Sequence, residues 1–171
     1  SSHVERDKND KKVILFIGKE WKRKGLEKAE KIVKKLRQND TGIEFWVIGP
    51  SSEEIKHLFK DWNSGFRLLG WQDASKFMPL ASLLLHPATS EPYGMAIAEV
   101  TNYGIPVVIS NQCGIASQVS SRSGSVVNIG ANTDEWVDSC LVELNRKFPA
   151  LGIGKSWQEL AQQHIEIYRQ L

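Results

Sequence analysis

The sequence predicts an α/β protein with a Rossmann-like, doubly wound parallel sheet of about six strands. Short apolar runs alternate with amphipathic stretches along the chain, a pattern typical of βα units around a parallel sheet. Several of these runs are apolar throughout, as expected of strands covered by helices on both faces. The 171 residues are enough for one such domain with a substantial core.

The strands are predicted from apolar runs that end at glycine, proline or polar residues. The first run, VILFI, ends at Gly18, and the second is closed by Gly49-Pro50. The predicted strands are residues 13–17, 43–48, 66–69, 82–86, 107–110 and 125–129.

The helices are predicted from the amphipathic stretches between these runs. In the first of them, Glu30 and Lys34 are expected to form an i,i+4 pair on the outer face. Ser51 or Ser52 is the expected N-cap of the second helix, and Thr133 that of a later one. The predicted helices are residues 25–38, 51–59, 75–80, 94–103, 114–119 and 133–147.

Composition and charge argue against several classes of protein. The net charge of +2 is too small to indicate a nucleic-acid-binding protein. Cys113 and Cys140 are far apart and follow no zinc-binding or disulfide pattern, which fits a reducing, cytoplasmic location. No apolar run reaches the length of a transmembrane helix. Residues 1–11 are expected to be a linker or an expression remnant, and residues 12–171 the domain.

The segment EPYGMAIAE places Glu91 in the loop after a buried strand and Glu99 inside the following helix. Ligands of doubly wound sheets bind at the carboxyl ends of the strands, near the point where the strand order reverses. A carboxylate such as Glu91 in that loop can accept hydrogen bonds from the hydroxyls of a sugar, and Glu99 on the helix can hold a ribose. Backbone N–H groups at the helix start, where Pro92 and Gly94 shape the turn, would cradle a phosphate or hydroxyl. These N–H groups belong to Tyr93, Gly94, Met95 and Ala96. The alternative is that both glutamates are ordinary surface acids.

The segment GKEWKRKG follows the first predicted strand. Gly18 ends the strand and would let the backbone approach a ligand. Lys19 and Lys24 are expected to reach over the strand ends, where two ammonium groups can neutralise a diphosphate. A helix start disfavours cations unless an anion occupies the site. A solvated, lysine-rich helix start is the alternative.

Taken in order, these motifs resemble the group 1 glycosyltransferase family. The set consists of GKEWKRKG, the strand ending in Gly49-Pro50, LLLHPATSEPYGMAIAE and GIPVV. KEWKRKGLEKA, LLLHP and QCGIA are similar to bacterial lipopolysaccharide core glucosyltransferases. The resemblance covers residues 13–171 and implies the C-terminal half of a two-domain GT-B fold, the half that binds a nucleotide diphosphate sugar such as UDP-glucose. It also implies a retaining reaction that needs no metal or other cofactor.

The resemblance also implies roles for individual residues. Glu91 matches the first acid of the family's Glu-x7-Glu motif, which holds the sugar, and Glu99 matches the second, which holds the ribose. Lys19, where many members have arginine, and Lys24 would bind the diphosphate. The N–H groups around Gly94 and Met95 would bind phosphate and sugar. The base is expected near Gly49 and residues 70–72, where Trp71 lies.

Further partners are expected by the same resemblance. The acceptor, a polysaccharide or lipid-linked glycan, is expected to bind an N-terminal domain outside this sequence, so the chain alone should bind the nucleotide sugar weakly and transfer nothing measurable. Ser156 and Glu159 are spaced as a capping box before an apolar stripe over residues 157–171, which would face that domain. A basic patch could contact anionic lipid on the inner face of the cytoplasmic membrane, or be simply solvated. This patch is Lys22, Arg23, Lys28 and Lys35.

Two other functions stay open: half of a sugar-nucleotide epimerase with the same two-domain fold, and a non-catalytic module that binds a phosphorylated ligand. The remaining motifs give weaker or negative indications of function. The string GIGKS at residues 152–156 lacks the first glycine and the preceding strand of a Walker A loop. No GxGxxG follows the first strand, which argues against a dinucleotide-dependent oxidoreductase. No Asp-x-Asp pair is present, so no metal is expected. His86, at the end of a buried strand, is expected to be structural rather than an acid or base.

Overall fold

A computed structural model describes residues 11–154 and the isolated positions 165 and 169. Its strands are β1 (Lys12–Ile17), β2 (Ile43–Ile48), β3 (Phe66–Leu68), β4 (Leu83–His86), β5 (Val107–Ser110) and β6 (Gly124–Val127). All pair in parallel, in the spatial order β3-β2-β1-β4-β5-β6. The chain builds outward in one direction from β1 and then in the other from β4. The boundary between β1 and β4 is thus the switch point of a doubly wound sheet, and the predicted fold class is confirmed.

Helices cover both faces of the sheet. The α-helices within the described residues are α1 (Leu26–Asn39), α2 (Ser52–Ile55), α3 (Met95–Asn102) and α4 (Thr133–Leu144). Short 3₁₀ turns occupy Lys56–Phe59, Ala74–Lys76, Met78–Leu80 and Gly114–Gln118. One core contains side chains of α1 and α4, and the other contains those of α3.

The two cores follow from the alternation of side chains along each strand. In β1, Ile14 and Phe16 belong to the core under α1, whereas Leu15 belongs to the core under α3. Trp136 of α4 is completely buried in the first core, and Ile97 of α3 in the second. Burying each large apolar side chain contributes about 1.5–3 kcal/mol, so both faces of the sheet must be covered for the domain to be stable.

The helices depart from the predictions more than the strands do. The predicted helix 51–59 is the single turn α2 followed by a 3₁₀ turn, and the predicted helices 75–80 and 114–119 are 3₁₀ turns throughout. Pro79 lies in one of these turns and cannot donate a helical hydrogen bond. Strand β6 ends at Val127 rather than at residue 129, because the side chain of Asn111 takes over the bond to the Ile129 N–H.

Two predictions about individual side chains were wrong. Asn132, not Thr133, caps α4, since its side chain and that of Glu135 bond each other's backbone N–H groups as a capping box. Glu30 does not lie on the outer face of α1. It is buried and accepts a hydrogen bond of 2.7 Å from the indole N–H of Trp62. Ser51 is confirmed as the N-cap of α2.

Three predicted features lie outside the described residues: the linker over residues 1–10, the capping box of Ser156 and Glu159, and the apolar stripe over 157–171. Among the helices that are described, none has both the length and the apolar character needed to cross a membrane.

Candidate functional site

The loops that follow β1 and β4 meet at the switch point and are tied to each other. The main-chain N–H of Thr89 donates to the carbonyl oxygen of Arg23 at 2.9 Å, and the Thr89 hydroxyl donates to the same oxygen at 3.1 Å. In return, the Arg23 guanidinium donates to the carbonyl of Ser90. The two loops that the sequence predicts to form the site are therefore joined by hydrogen bonds into one continuous surface.

A compact polar cluster forms where these loops meet. The Lys24 Nζ atom lies 3.0 Å from Oε2 of Glu91, and the Nε2 atom of His86 lies 3.1 Å from the same oxygen. The Gly94 N–H donates to the other carboxylate oxygen, Oε1, at 3.4 Å. His86 and then Lys24 hold the pKa of Glu91 well below its usual range, against the opposing effect of burial. Glu91 is thus a carboxylate that only accepts hydrogen bonds.

Gly18 makes room for this cluster. A β-carbon at Gly18 would lie 2.1 Å from Cδ of Lys24, so the aliphatic part of the lysine crosses directly over the glycine. This contact gives a reason of its own for a small residue at position 18, and the approach of a ligand to the Gly18 backbone stays a prediction. The group that approaches Gly18 is the side chain that carries the predicted diphosphate-binding charge.

The N-terminus of α3 lies next to the cluster. Gly94 is its N-cap, in the left-handed region with φ of 66°, and no side chain caps the helix. The first N–H groups of a helix have no partner within it, so those of Met95 and Ala96 are available to an anion. The N–H of Gly94 is already bonded to Glu91. The prediction that it is free for a ligand was wrong for this structure.

The other predicted site residues surround the cluster at different depths. Lys19 is exposed and makes no ion pair within residues 11–154, and Pro92 is also exposed. Glu99 is half-buried in α3. Tyr93 and Trp71 are the most exposed, with 78% and 81% of their surface accessible.

On the β1 side of the switch point, the carboxyl ends of β2 and β3 are also joined to each other. The Gly49 N–H donates to the carbonyl oxygen of Gly70 at 2.8 Å. Gly49 and the loop that contains Trp71 are thus neighbours, as the predicted placement of the base requires.

A cleft of about 390 Å³ borders the turn formed by residues 92–95. Its lining is Pro92, Tyr93, Met95, Ala98, Gly114, Ile115, Gln118 and Gly154. Neither lysine of the predicted site lines it, and Glu91 does not either. Three predicted site residues, Pro92, Tyr93 and Met95, therefore line this cleft together with residues of the segment after β5.

Sequence reasoning missed the part that His86 takes in the cluster. His86 is the last residue of β4 and is 2% exposed. It stands five positions before Glu91, and a loop of that length can fold back on the strand that begins it. The histidine next to a predicted ligand loop was the available signal, and it was assigned to packing alone.

Backbone contacts also hold Glu91 from the β5 side. The Glu91 N–H donates to the carbonyl of Gln112 at 3.2 Å, and the Gly114 N–H donates to the carbonyl of Glu91 at 2.8 Å. These bonds form a parallel bridge between Glu91 and Cys113. Burial raises the pKa of the Cys113 thiol, so this cysteine is a packed residue and not a reactive thiolate.

The basic patch predicted for lipid is largely engaged within the chain. Lys28 donates to the carbonyl of Ile129 at 2.7 Å, and Lys35 pairs with Asp134. Arg23 bonds Glu20 and Ser90, as part of the loop contacts described above.

These observations define a doubly wound α/β domain with a cation, a carboxylate and a helix N-terminus at its switch point. More narrowly, the chain belongs to the family described as Glycosyl transferases group 1, whose sequence model matches residues 11–145. The resemblance found in the sequence is thereby confirmed.

Individual relatives agree with this family. The chain is 24% identical over 178 residues to the lipopolysaccharide glucosyltransferase WaaG of Escherichia coli K12, across 97% of this chain and 46% of WaaG. It is 28% identical over 113 residues to the 2-deoxystreptamine N-acetyl-D-glucosaminyltransferase of Niallia circulans, across 62% of this chain and 29% of that enzyme. The chain thus spans less than half the length of these curated relatives.

Solved structures share the fold. The crystal structure of a WaaG superimposes with a TM-score of 0.70 at 22% identity, over 82% of this chain and 39% of WaaG. The Anabaena protein Alr3699/HepE, in complex with UDP-glucose, superimposes with a TM-score of 0.70 at 17% identity, over 95% of this chain and 50% of HepE.

Proposed function

We propose that this chain binds the sugar donor of a hexosyl transfer reaction, a nucleoside diphosphate sugar of the UDP-glucose type. The observation that carries the proposal is the ion pair between Lys24 and Glu91 beside the N-terminus of α3. One loop supplies a cation suited to a diphosphate, and the other supplies a carboxylate suited to sugar hydroxyls. The names of WaaG, a glucosyltransferase, and of the UDP-glucose complex of HepE support this ligand class.

In the proposed complex, the diphosphate lies between Lys24, Lys19 and the first N–H groups of α3. Negative charge grows on the departing diphosphate as the bond to the sugar breaks, and these groups stabilise it. Because the cations and N–H groups already supply positive charge, we expect the reaction to need no metal ion. Glu91 holds the sugar hydroxyls and Glu99 the ribose.

The base would lie at the carboxyl ends of β2 and β3. Gly49 and Trp71 stand there, and the exposed indole offers a flat apolar surface to a nucleobase.

The acceptor would be a lipopolysaccharide, another polysaccharide or a glycolipid, bound by a further domain. The chain spans 46% of the length of WaaG, which fits half of a two-domain enzyme. We propose that configuration at the sugar is retained. We expect the chain alone to bind the nucleotide sugar without measurable transfer.

Titration calorimetry with UDP, UDP-glucose, GDP-glucose and ADP-glucose tests the proposal. Wild-type chain should bind UDP-glucose more tightly than the other nucleotide sugars. Glu91→Ala should weaken UDP-glucose binding by about 1.5–3 kcal/mol, the scale of a hydrogen bond to a charged group, and leave UDP binding unchanged. Glu27→Ala removes an exposed carboxylate of α1 and is the matched control.

The remaining functions give different results in the same titration. A module that binds only a phosphorylated ligand would lose no preference for the sugar on Glu91→Ala, because it would have none. Half of an epimerase would bind the sugar nucleotide, but its full-length parent would interconvert two nucleotide sugars without an acceptor.

A further inference from the structure

Two hydrogen-bond donors of different character meet on one oxygen of Glu91. Lys24 reaches Oε2 on a flexible stem across Gly18, and 22% of its side chain is exposed. His86 reaches the same oxygen from the end of β4, with only 2% of its side chain exposed. The imidazole stacks on Phe16 at a centroid distance of 6.3 Å, and the His86 main chain pairs with Ile109 of β5. Lys24 can therefore change partners, whereas His86 is fixed.

The position of the imidazole proton follows from these contacts. An ionised carboxylate only accepts hydrogen bonds, so Nε2 of His86 must carry a proton and donate it to Glu91. The other nitrogen, Nδ1, is buried and has no hydrogen-bond partner within the described structure. A proton on Nδ1 would create a buried imidazolium with an unpaired N–H. Burial lowers the pKa of His86 accordingly, although Glu91 opposes the effect.

We propose that His86, as the neutral Nε2–H tautomer, is a positioning residue that keeps Oε2 of Glu91 in place while a diphosphate draws Lys24 away. This proposal rests on the proposed function. Lys24 is the cation nearest to Glu91, and the incoming diphosphate competes for it. With Lys24 turned toward the phosphates, a carboxylate held only by the long bond from Gly94 would be free to rotate. His86 prevents that rotation, so Glu91 stays directed at the sugar.

The first test reads the tautomer without any ligand. Nitrogen-15 NMR of the histidine side chains should show one ring, assigned to His86 by its loss in His86→Gln, with a protonated Nε2 and an unprotonated Nδ1 at neutral pH. Lys24→Met should keep this state, because burial lowers the pKa of His86 more than the neighbouring charge of Lys24 does. Glu91→Ala should lose it and give mixed tautomers. An imidazolium, or an Nδ1–H tautomer, in the wild-type chain would overturn the proposal.

The second test uses two polar replacements that differ in reach. The amide N–H₂ of glutamine in His86→Gln can occupy the place of Nε2, whereas the shorter asparagine in His86→Asn reaches only the place of Nδ1. In calorimetry, the ratio of the affinity for UDP-glucose to the affinity for UDP should fall about fivefold to tenfold in His86→Asn. In His86→Gln this ratio should return most of the way to the wild-type value. Binding of UDP alone should be equal in both.

The results separate this proposal from the function on which it rests. If the wild-type chain binds neither UDP-glucose nor the other nucleotide sugars, the proposed function fails, and the NMR experiment still decides whether His86 holds Glu91. If Glu91→Ala weakens UDP-glucose binding but His86→Asn does not, only the positioning role fails. Thermal melting of both variants controls for folding, and equal preference in two folded variants counts against the proposal.

Discussion

Among residues 11–154, two buried glutamates each pair with a cation, and they differ in how many hydrogen-bond donors of that cation remain unused. Glu91, 7% exposed, meets Lys24 and His86 at the switch point. Glu143 of α4, 3% exposed, accepts a hydrogen bond of 2.8 Å from Nε of Arg146 and one of 2.7 Å from the Ser125 hydroxyl. The Nη2 atom of Arg146 also lies 2.7 Å from Oε2 of Glu143, as an ion pair. By burial and charge alone the two glutamates would be indistinguishable.

The difference lies in the remaining hydrogen-bonding capacity. Arg146 also donates to the carbonyls of Arg122 and Ser121, so its fork is used within the chain and ties the loop before β6 to α4. Lys24 bonds only Glu91 among the described residues, and an ammonium has further protons to donate. We call the Arg146 network closed, because its donors are used within the chain, and we interpret it as structural. We call the Lys24 network open, because its ammonium has donors left over, and we interpret it as a place for a ligand. The comparison shows that unused donors, more than buried charge, distinguish a candidate site.

The largest expected effect tests the closed network. Glu143→Ala should lower the free energy of unfolding by about 3 kcal/mol, because it leaves the Arg146 guanidinium without its carboxylate. Urea denaturation measures this loss, and Glu53→Ala, an exposed acid on α2, should change stability by less than about 0.5 kcal/mol. Nucleotide binding by folded Glu143→Ala should match wild type. Weakened binding with unchanged stability would reverse the assignments of the two glutamates.

A smaller effect is expected at the open network. Lys24→Met should weaken both UDP and UDP-glucose by about 1.5–3 kcal/mol in calorimetry, since both ligands carry the diphosphate. Lys31→Met, at an exposed position of α1, is the control. Gly18→Ala sharpens the test, because its β-carbon would displace the Lys24 stem without removing the charge. Normal UDP binding by both Lys24→Met and Gly18→Ala would remove Lys24 from the site.

The smallest effect concerns the basic face. A free surface lysine near anionic lipid contributes about 1 kcal/mol, but Arg23, Lys28 and Lys35 already bond groups of this chain. We therefore expect weak sedimentation with phosphatidylserine vesicles, reduced modestly by Lys22→Ala. Strong lipid binding that survives Lys22→Ala would show that these three residues leave their partners at a membrane.

The sequence predicted the sheet well and the site in part. Strands were recognised because β1, β2, β4 and β5 are largely buried on both faces and hence mainly apolar, a local signal. The pairing of Lys24 with Glu91 was foreseen only as two groups at adjacent strand ends. The contact of His86 with Glu91 was not foreseen, because it depends on how the loop of four residues between them, 87–90, folds back. Glu30 was misplaced for a similar reason: Trp62, from a distant turn, covers it.

The parallel bridge between Glu91 and Cys113 has one more consequence. It lies beyond the ends of β4 and β5 and is one position out of their register, because His86 pairs with Ile109 whereas Glu91 pairs with Cys113. The loop of residues 87–90 therefore holds one residue more than the segment opposite it, residues 110–112. Deleting or inserting a residue in this loop should disturb either the bridge or the contacts of the Glu91 carboxylate with His86 and Lys24. The spacing of this loop is thereby as constrained as the identity of its glutamate.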